Sequence, residues 1–274
     1  MELSACDIDS YNRDGYVVVR SVFDLGIVAA LRSAAGIGAI GVTDSSGSRQ
    51  ELNAWTDLGD DLLGLVPRSH TVVSLAERLI GEPIYHWHSK ISWKMPHTSG
   101  TWDWHQDYGF WREEGCDRPA MTTVSVALDP QTPANGCLRV IPGSHNQGDI
   151  EHRAVGQGRA ADPKTIDGLI DSNGIVDLVL EPGDLIAFHS QTVHGSGPNT
   201  TNRMRSILHC SYNALSNDPK SPFFPGHRAG PLDVVDDSHL LPDRWTDVVY
   251  DYRLLTAAQN GYANQGYKVV DVTS

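Results

Sequence analysis

The chain is expected to be mainly β with flanking helices, an α+β protein whose core is a jelly roll. Three observations lead there. Short apolar segments bounded by Gly, Pro and Asn recur at 84–94, 102–108, 121–128, 137–141, 175–180, 184–188 and 204–212. No helix of useful length separates them, which argues against a parallel βαβ sheet and for a closed antiparallel core, a double-stranded β-helix of cupin-like form. The length of 274 residues, with 40% hydrophobic and 20% charged residues, describes one globular unit able to bury a sizeable core.

Taken in order, the Asp14-Gly15 dipeptide is a turn feeding the β-branched run Val17-Val18-Val19, a short buried strand. Asp24 then stands as an N-cap before Ile27, Val28, Leu31, Ala34 and Ala35, one face of a helix. Residues 41–50, containing Thr43-Asp44-Ser45-Ser46-Gly47-Ser48, read as a polar loop. A second helix fits Val72, Leu75, Ala76, Leu79 and Ile80, closed by Gly81 with Pro83 beyond. The expected layout is a single domain, 1–274: mostly helical support over 1–83, the jelly-roll core over 84–212, and a C-terminal wrap over 213–274 with a helical piece from Trp245 to Ala258. Within the core, 146–174 is rich in Gly, Asp and Gln and is expected to form a partly ordered lid. The lid and Phe223 to Arg228 are the segments expected to set selectivity.

Charge narrows the function classes. Against 34 acidic residues stand 21 basic ones, and the net charge of −13 opposes binding to a phosphate backbone or an anionic membrane. No apolar stretch is long enough to span a bilayer and the N-terminus lacks a signal pattern, so a cytoplasmic protein acting on a small molecule is expected. Cys6, Cys116, Cys137 and Cys210 form no C-x-x-C pair and read as reduced thiols. There is no internal repeat, dinucleotide fingerprint or P-loop.

The chemistry centres on Trp104-His105-Gln106-Asp107. In a strand, His105 and Asp107 would project from one side. His194, in Val193-His194-Gly195-Ser196, supplies a third ligand if it folds beside them. Two histidines and a carboxylate on one face of a metal, with the other positions open, is the arrangement of non-heme Fe(II) oxygenases. A His-x-Asp tripeptide alone is common by chance, but three neighbours add weight. Glu181 to Phe188 reads as a turn and buried strand leading to His194, and Gly195 and Ser196 allow close backbone approach. Arg205 sits in the apolar strand Met204 to Leu208, where a guanidinium needs an anion, best a carboxylate held bidentately. Arg203 competes with Arg205 for that role, since parity puts both on one face. The same parity turns Trp102 and Trp104 towards the core and His189 away from His194; His145 reads as a turn residue of Pro142-Gly143-Ser144, and Lys94 as a surface lysine.

Together with Asp14-Gly15-Tyr16, the run Asn135-Gly136-Cys137-Leu138-Arg139-Val140-Ile141-Pro142-Gly143-Ser144-His145 and Pro182-Gly183-Asp184, these pieces resemble the phytanoyl-CoA dioxygenase family of Fe(II)/2-oxoglutarate oxygenases, nearest in motif to its ectoine hydroxylase branch. The resemblance spans about residues 14–212. It implies that His105, Asp107 and His194 ligate Fe(II), that Arg205 and Ser196 hold the distal carboxylate of 2-oxoglutarate, and that Lys90 and Thr123 line the cosubstrate pocket. Trp111 and Phe188 match substrate-wall positions, and His209 replaces a further aromatic of ectoine hydroxylase, which counts against ectoine itself. The implied reaction consumes O2 and 2-oxoglutarate, releases succinate and CO2, and hydroxylates an unactivated C–H bond, with no catalytic residue beyond the metal centre. A carboxylate at Asp107, where related halogenases carry a small residue, favours oxygen over chlorine transfer. The competing readings are a non-catalytic metal- or ligand-binding jelly roll, and an oxygenase that desaturates, epoxidises or closes a ring.

Overall fold

The computed structural model describes residues 4–35, 40–44, 46–155, 158–219, 230–242 and 244–245. Its elements, in chain order, are α1 (Ala5–Asp14), β1 (Tyr16–Val19), α2 (Leu25–Ala35), β2 (Ile40–Thr43), β3 (Arg49–Trp55), α3 (Leu62–Arg68), α4 (His70–Ile80), β4 (Ile84–Lys94), β5 (Trp102–His105), α5 (Tyr108–Trp111), β6 (Met121–Ala127), β7 (Leu138–Val140), β8 (His152–Val155), β9 (Gly158–Ala161), α6 (Pro163–Asn173), β10 (Val176–Asp177), β11 (Leu185–His189), β12 (His194–Ser196) and β13 (Arg205–Ala214). A large sheet runs β1-β11-β6-β13-β4-β3-β2 and a small one β10-β7-β12-β5. From β4 onward the chain crosses between them, with β4, β6, β11 and β13 in the large sheet and β5, β7, β10 and β12 in the small; only between β7 and β10 does it stay on one side, passing through β8–β9, a separate two-stranded sheet. That antiparallel alternation is the jelly roll.

The strand sequences explain why one face of the large sheet meets helices and the other meets the small sheet. Along β13, Leu208, Cys210 and Tyr212 join the helix-covered core, with Val124 and Val126 of β6 and Val28, Leu31, Val72, Val73 and Ala76 of α2 and α4. The alternate residues are polar: Thr123 and Ser211 share a hydrogen bond, as do Ser125 and His209, on the face opposite the helices. The N-caps follow their chemistry too. Asp24 Oδ1 accepts from the backbone N–H of Gly26 and Ile27, and Gly81, at φ 82°, ends α4.

Several expectations are corrected. Residues 1–83 are not mostly helical support alone: β1 pairs with β11 at one edge of the large sheet, and β2–β3 extends the other edge through β4. The loop expected at 41–50 is the turn of that hairpin, where Asp44 Oδ1 accepts the backbone N–H of Ser46 and Ser48. Strand 102–108 stops at His105, and 175–180 is paired only at Val176–Asp177. The lid segment 146–174 is built, not a long loop: it holds the β8–β9 hairpin and α6. Its apolar positions Ile150, Ala161 and Ile166 pack with Ile141 and Val193, a cluster too dispersed in sequence to show periodicity. In the C-terminal region, Asp237 accepts from Thr71, and Leu240 enters the helix-side core. Phe223 to Arg228 and all of Trp245–Ala258 except Trp245 lie outside the described residues. No helix among the described residues is long and apolar enough to cross a membrane. The four cysteines are free, Cys6 exposed and the others buried.

Candidate metal centre

β5 ends at His105, and Asp107, at φ −57° and ψ −38°, starts the helical turn α5. His105 and Asp107 therefore do not share a wall through strand alternation; the turn brings the carboxylate back beside the imidazole. β12 sets His194 directly opposite His105. One ligand atom from each of His105, Asp107 and His194 lies within 4.8 Å of the others. Asp107 Oδ1 is 3.8 Å from His105 Nε2 and 3.7 Å from His194 Nε2.

Backbone carbonyls orient both rings. His105 Nδ1–H donates to Asp103 O at 2.7 Å, and His194 Nδ1–H donates to Thr192 O at 2.9 Å. With that tautomer, both Nε2 lone pairs are left for a cation. Thr123 Oγ1 donates to Asp107 Oδ2 at 3.3 Å, leaving Oδ1 as the third donor. Burial, reinforced by His194, pushes His105 down to about 3, and burial also lowers His194. Burial alone would raise Asp107, but Lys90, His194 and His105 outweigh it and hold the carboxylate below its ordinary range. Two neutral imidazoles and one carboxylate face one point, a donor set that suits a divalent transition metal such as Fe(II).

Gln106, between His105 and Asp107, is 1% exposed. Its Nε2 donates to Gly148 O and Gln191 O, and its Oε1 accepts from Ile150 N. Its own N–H donates to His152 Nε2, whose ring packs so close over Gly109 that a Cβ there would come within 2.5 Å. The segment 148–152 thus clamps the ligand strand. A Gln between two ligands carries no pattern that announces this; its partners are remote in sequence.

Beside the three donors, between the sheets, lies a small, partly open cavity. His105, His194, Lys90, Phe188, Ser196, Arg205 and His209 line it. Ser196 Oγ and Arg205 Nε are buried without a partner, two polar atoms awaiting a ligand. Arg205 is 3% exposed, whereas Arg203 is exposed outside the cavity. The Phe188 ring is 4.7 Å from that of His194. His209 shares hydrogen bonds with Ser125 and Ser92, and burial keeps it neutral.

Other expected positions move. Thr123 does not line the cavity; it is held to Asp107 and Ser211. Trp111, 3% exposed, packs with Tyr85, Trp87 and Met121, because α5 carries it under β4 to the ring of His88. Trp102, expected in the core, lines the cavity. The cause is a bulge: His194 faces His105 while Ser196 faces Trp102, so β5 holds one residue more than β12 and parity reverses. Trp104 stays on the other side, under the guanidinium of Arg139. Lys94 is buried, not at the surface, at 1% exposure. His145 does lie in a turn, against His189 and bonded to Asn12 O.

Comparison with known proteins agrees with this geometry. The profile of the phytanoyl-CoA dioxygenase (PhyH) family matches residues 11–207. L-proline trans-4-hydroxylase of Streptomyces griseoviridis is 33% identical over 201 residues, 66% of this chain and 75% of that protein. Ectoine dioxygenase of Sphingopyxis alaskensis is 27% identical over 249 residues, 81% of this chain and 79% of that protein. The structure of EctD from S. alaskensis with 2-oxoglutarate and 5-hydroxyectoine superposes with a TM-score of 0.70 at 27% identity, over 85% of this chain and 88% of that one. Its iron-bound form gives 0.68 at 26% identity, with the same coverage.

Proposed function

Because the chain belongs to the phytanoyl-CoA dioxygenase family and is a 2-oxoglutarate-dependent non-heme iron dioxygenase, we propose that it hydroxylates an unactivated C–H bond of a small polar metabolite such as an amino-acid derivative or natural-product intermediate. The observation that carries this reading is that His105 and His194, two members of the His105–Asp107–His194 donor set, line one cavity with the unpartnered Ser196 Oγ and Arg205 Nε.

When bound, Fe(II) together with 2-oxoglutarate and O2 supplies the oxidising power that inserts one oxygen atom into the substrate and the other into succinate, with loss of CO2. The protein's residues hold and exclude. His105, Asp107 and His194 would hold the metal, and Thr123 and the two backbone carbonyls fix their orientation. Arg205 and Ser196 bind the distal carboxylate, and Lys90 lines the cosubstrate's end of the cavity while its charge keeps Asp107 ionised. Phe188 and His209 wall the reacting volume with Trp102, limiting water. No acid or base is needed beyond the metal centre. The two relatives are named for acting on L-proline and ectoine, which are small and polar.

A screen of small polar metabolites scored by succinate release, followed by product mass, tests the proposal. A gain of one oxygen in the product is expected. Loss of two hydrogens would point to desaturation or ring closure, and no succinate with any amino-acid-like compound would overturn the substrate class.

A further inference from the structure

Lys94 and Arg205 are direct partners across β4 and β13, so their side chains leave the same face of the sheet. They are 1% and 3% exposed. Among the described residues no carboxylate pairs with either. Lys94 Nζ donates to Gly100 O at 2.9 Å, and Arg205 Nη2 donates to Gly136 O. The two contacts belong to one packed unit, since a Cβ on Gly136 would fall 2.9 Å from Lys94 Cδ. Around them, Arg205 Nε, Ser196 Oγ and both amide atoms of Gln50 have no partner. Gln50 precedes Glu51, which pairs with Trp93 on β4, and so extends the same row.

Two like charges facing one another away from water are costly unless one is neutral or an anion joins them. Arginine does not readily give up its proton; lysine does when buried. We propose that Lys94 is a second positioning group of the distal-carboxylate site, uncharged while that site is free and protonated when the cosubstrate's carboxylate docks on Arg205, so that binding takes up one proton from solvent. This rests on the assignment of Arg205 to the distal carboxylate. The charged and titratable groups that bear on the pair are few. Asp44, from the β2–β3 turn, faces Lys94 while accepting hydrogen bonds from Thr101. Cys137 and Asp129 act on Arg205, and burial pushes the Cys137 thiol up to about 11, so it stays neutral. Burial, aided by Arg205 and opposed by Asp44, pushes Lys94 down to about 6. An added carboxylate reverses the balance.

The test is anaerobic calorimetry of 2-oxoglutarate binding to the Fe(II)-loaded protein, in buffers of differing ionisation enthalpy, between pH 6.5 and 8. The cosubstrate is a dianion throughout, so a buffer-dependent heat reports protons taken up by the protein. The expected result is uptake approaching one proton, with Kd rising by up to about tenfold per pH unit. In Lys94→Met, uptake vanishes and Kd becomes independent of pH. Buffer-independent heat in the wild-type protein, or uptake that persists in Lys94→Met, overturns the inference. If Lys94→Met does not fold, the wild-type heat and its pH dependence decide alone. Arg205→Met separates the two levels. Binding lost there while wild-type heat is buffer-independent overturns the Lys94 role only; binding undiminished there overturns the carboxylate assignment and the Lys94 role with it.

Discussion

Replacing Gln106 by Leu, a side chain of similar size, removes three hydrogen bonds at once. The Ile150 N–H and the Gly148 and Gln191 carbonyls lose their partner, beside a side chain that is 1% exposed. A hydrogen bond contributes about 1 kcal/mol net, and a buried group left unsatisfied costs about 1–3 kcal/mol. Part of the loss is recovered if water reaches the two carbonyls, so the expected cost is about 3 kcal/mol. For a chain of this length that corresponds to roughly 6–10 °C in Tm. Iron affinity should fall as well. Both neighbours of Gln106 are proposed ligands, and loosening groups that orient ligands typically costs roughly 10–100-fold. Thermal unfolding of the metal-free protein measures the first effect, and competition with a calibrated chelator the second. A Tm loss under about 2 °C with unchanged iron affinity would mean that Gln106 does not tie segment 148–152 to His105 and Asp107.

Other outcomes follow from the same geometry. Arg205→Met should raise the KM for 2-oxoglutarate by roughly 10–150-fold, the value of one charge-assisted contact, while Arg203→Met changes it less than about twofold because Arg203 is exposed outside the cavity; steady-state succinate assays decide between the two arginines. Gly109→Ala places a Cβ within 2.5 Å of the His152 ring and should loosen that ring's contact with Gln106 N, lowering iron affinity more than it lowers Tm. The pH dependence of the metal-free protein has a defined sign. His105, His194, His189 and His209 are lowered by burial, His105 to about 3 and His189 to about 4. The unfolded chain therefore binds more protons below about pH 6.5, and stability falls as pH drops from there, by up to about 1.4 kcal/mol per pH unit for each histidine. Asp107, lowered, adds its own loss only below about pH 4. Chemical denaturation between pH 7.5 and 4.5 should show this slope, and a flat profile would contradict the burial argument.

The fold was legible because its strands alternate. In β13, Leu208, Cys210 and Tyr212 face helices while Arg205, His209 and Ser211 face inward, and that polar inner row was itself a sign of a site. Arg205 could be singled out for the same reason: a guanidinium in a buried strand needs an anion. What eluded the sequence were features set by interruptions of regularity. The β5 bulge reversed Trp102, the helical turn at Asp107 replaced a strand wall and carried Trp111 into the core, and three-residue β12 was too short to announce itself. Lysine is usually a surface residue, and nothing local to Lys94 shows that β3 and β13 enclose it on both sides. The β8–β9 hairpin and α6 were hidden by polar composition, since only a few apolar positions anchor them.

Anaerobic titration of the protein with Fe(II) and 2-oxoglutarate, followed by visible absorption, tests the ligand set. A weak charge-transfer band that saturates at one metal per chain is expected in the wild-type protein and is lost in His105→Ala. Absence of the band in the wild-type protein, or its persistence unchanged in His105→Ala, would contradict the assignment of His105, Asp107 and His194 as the iron ligands.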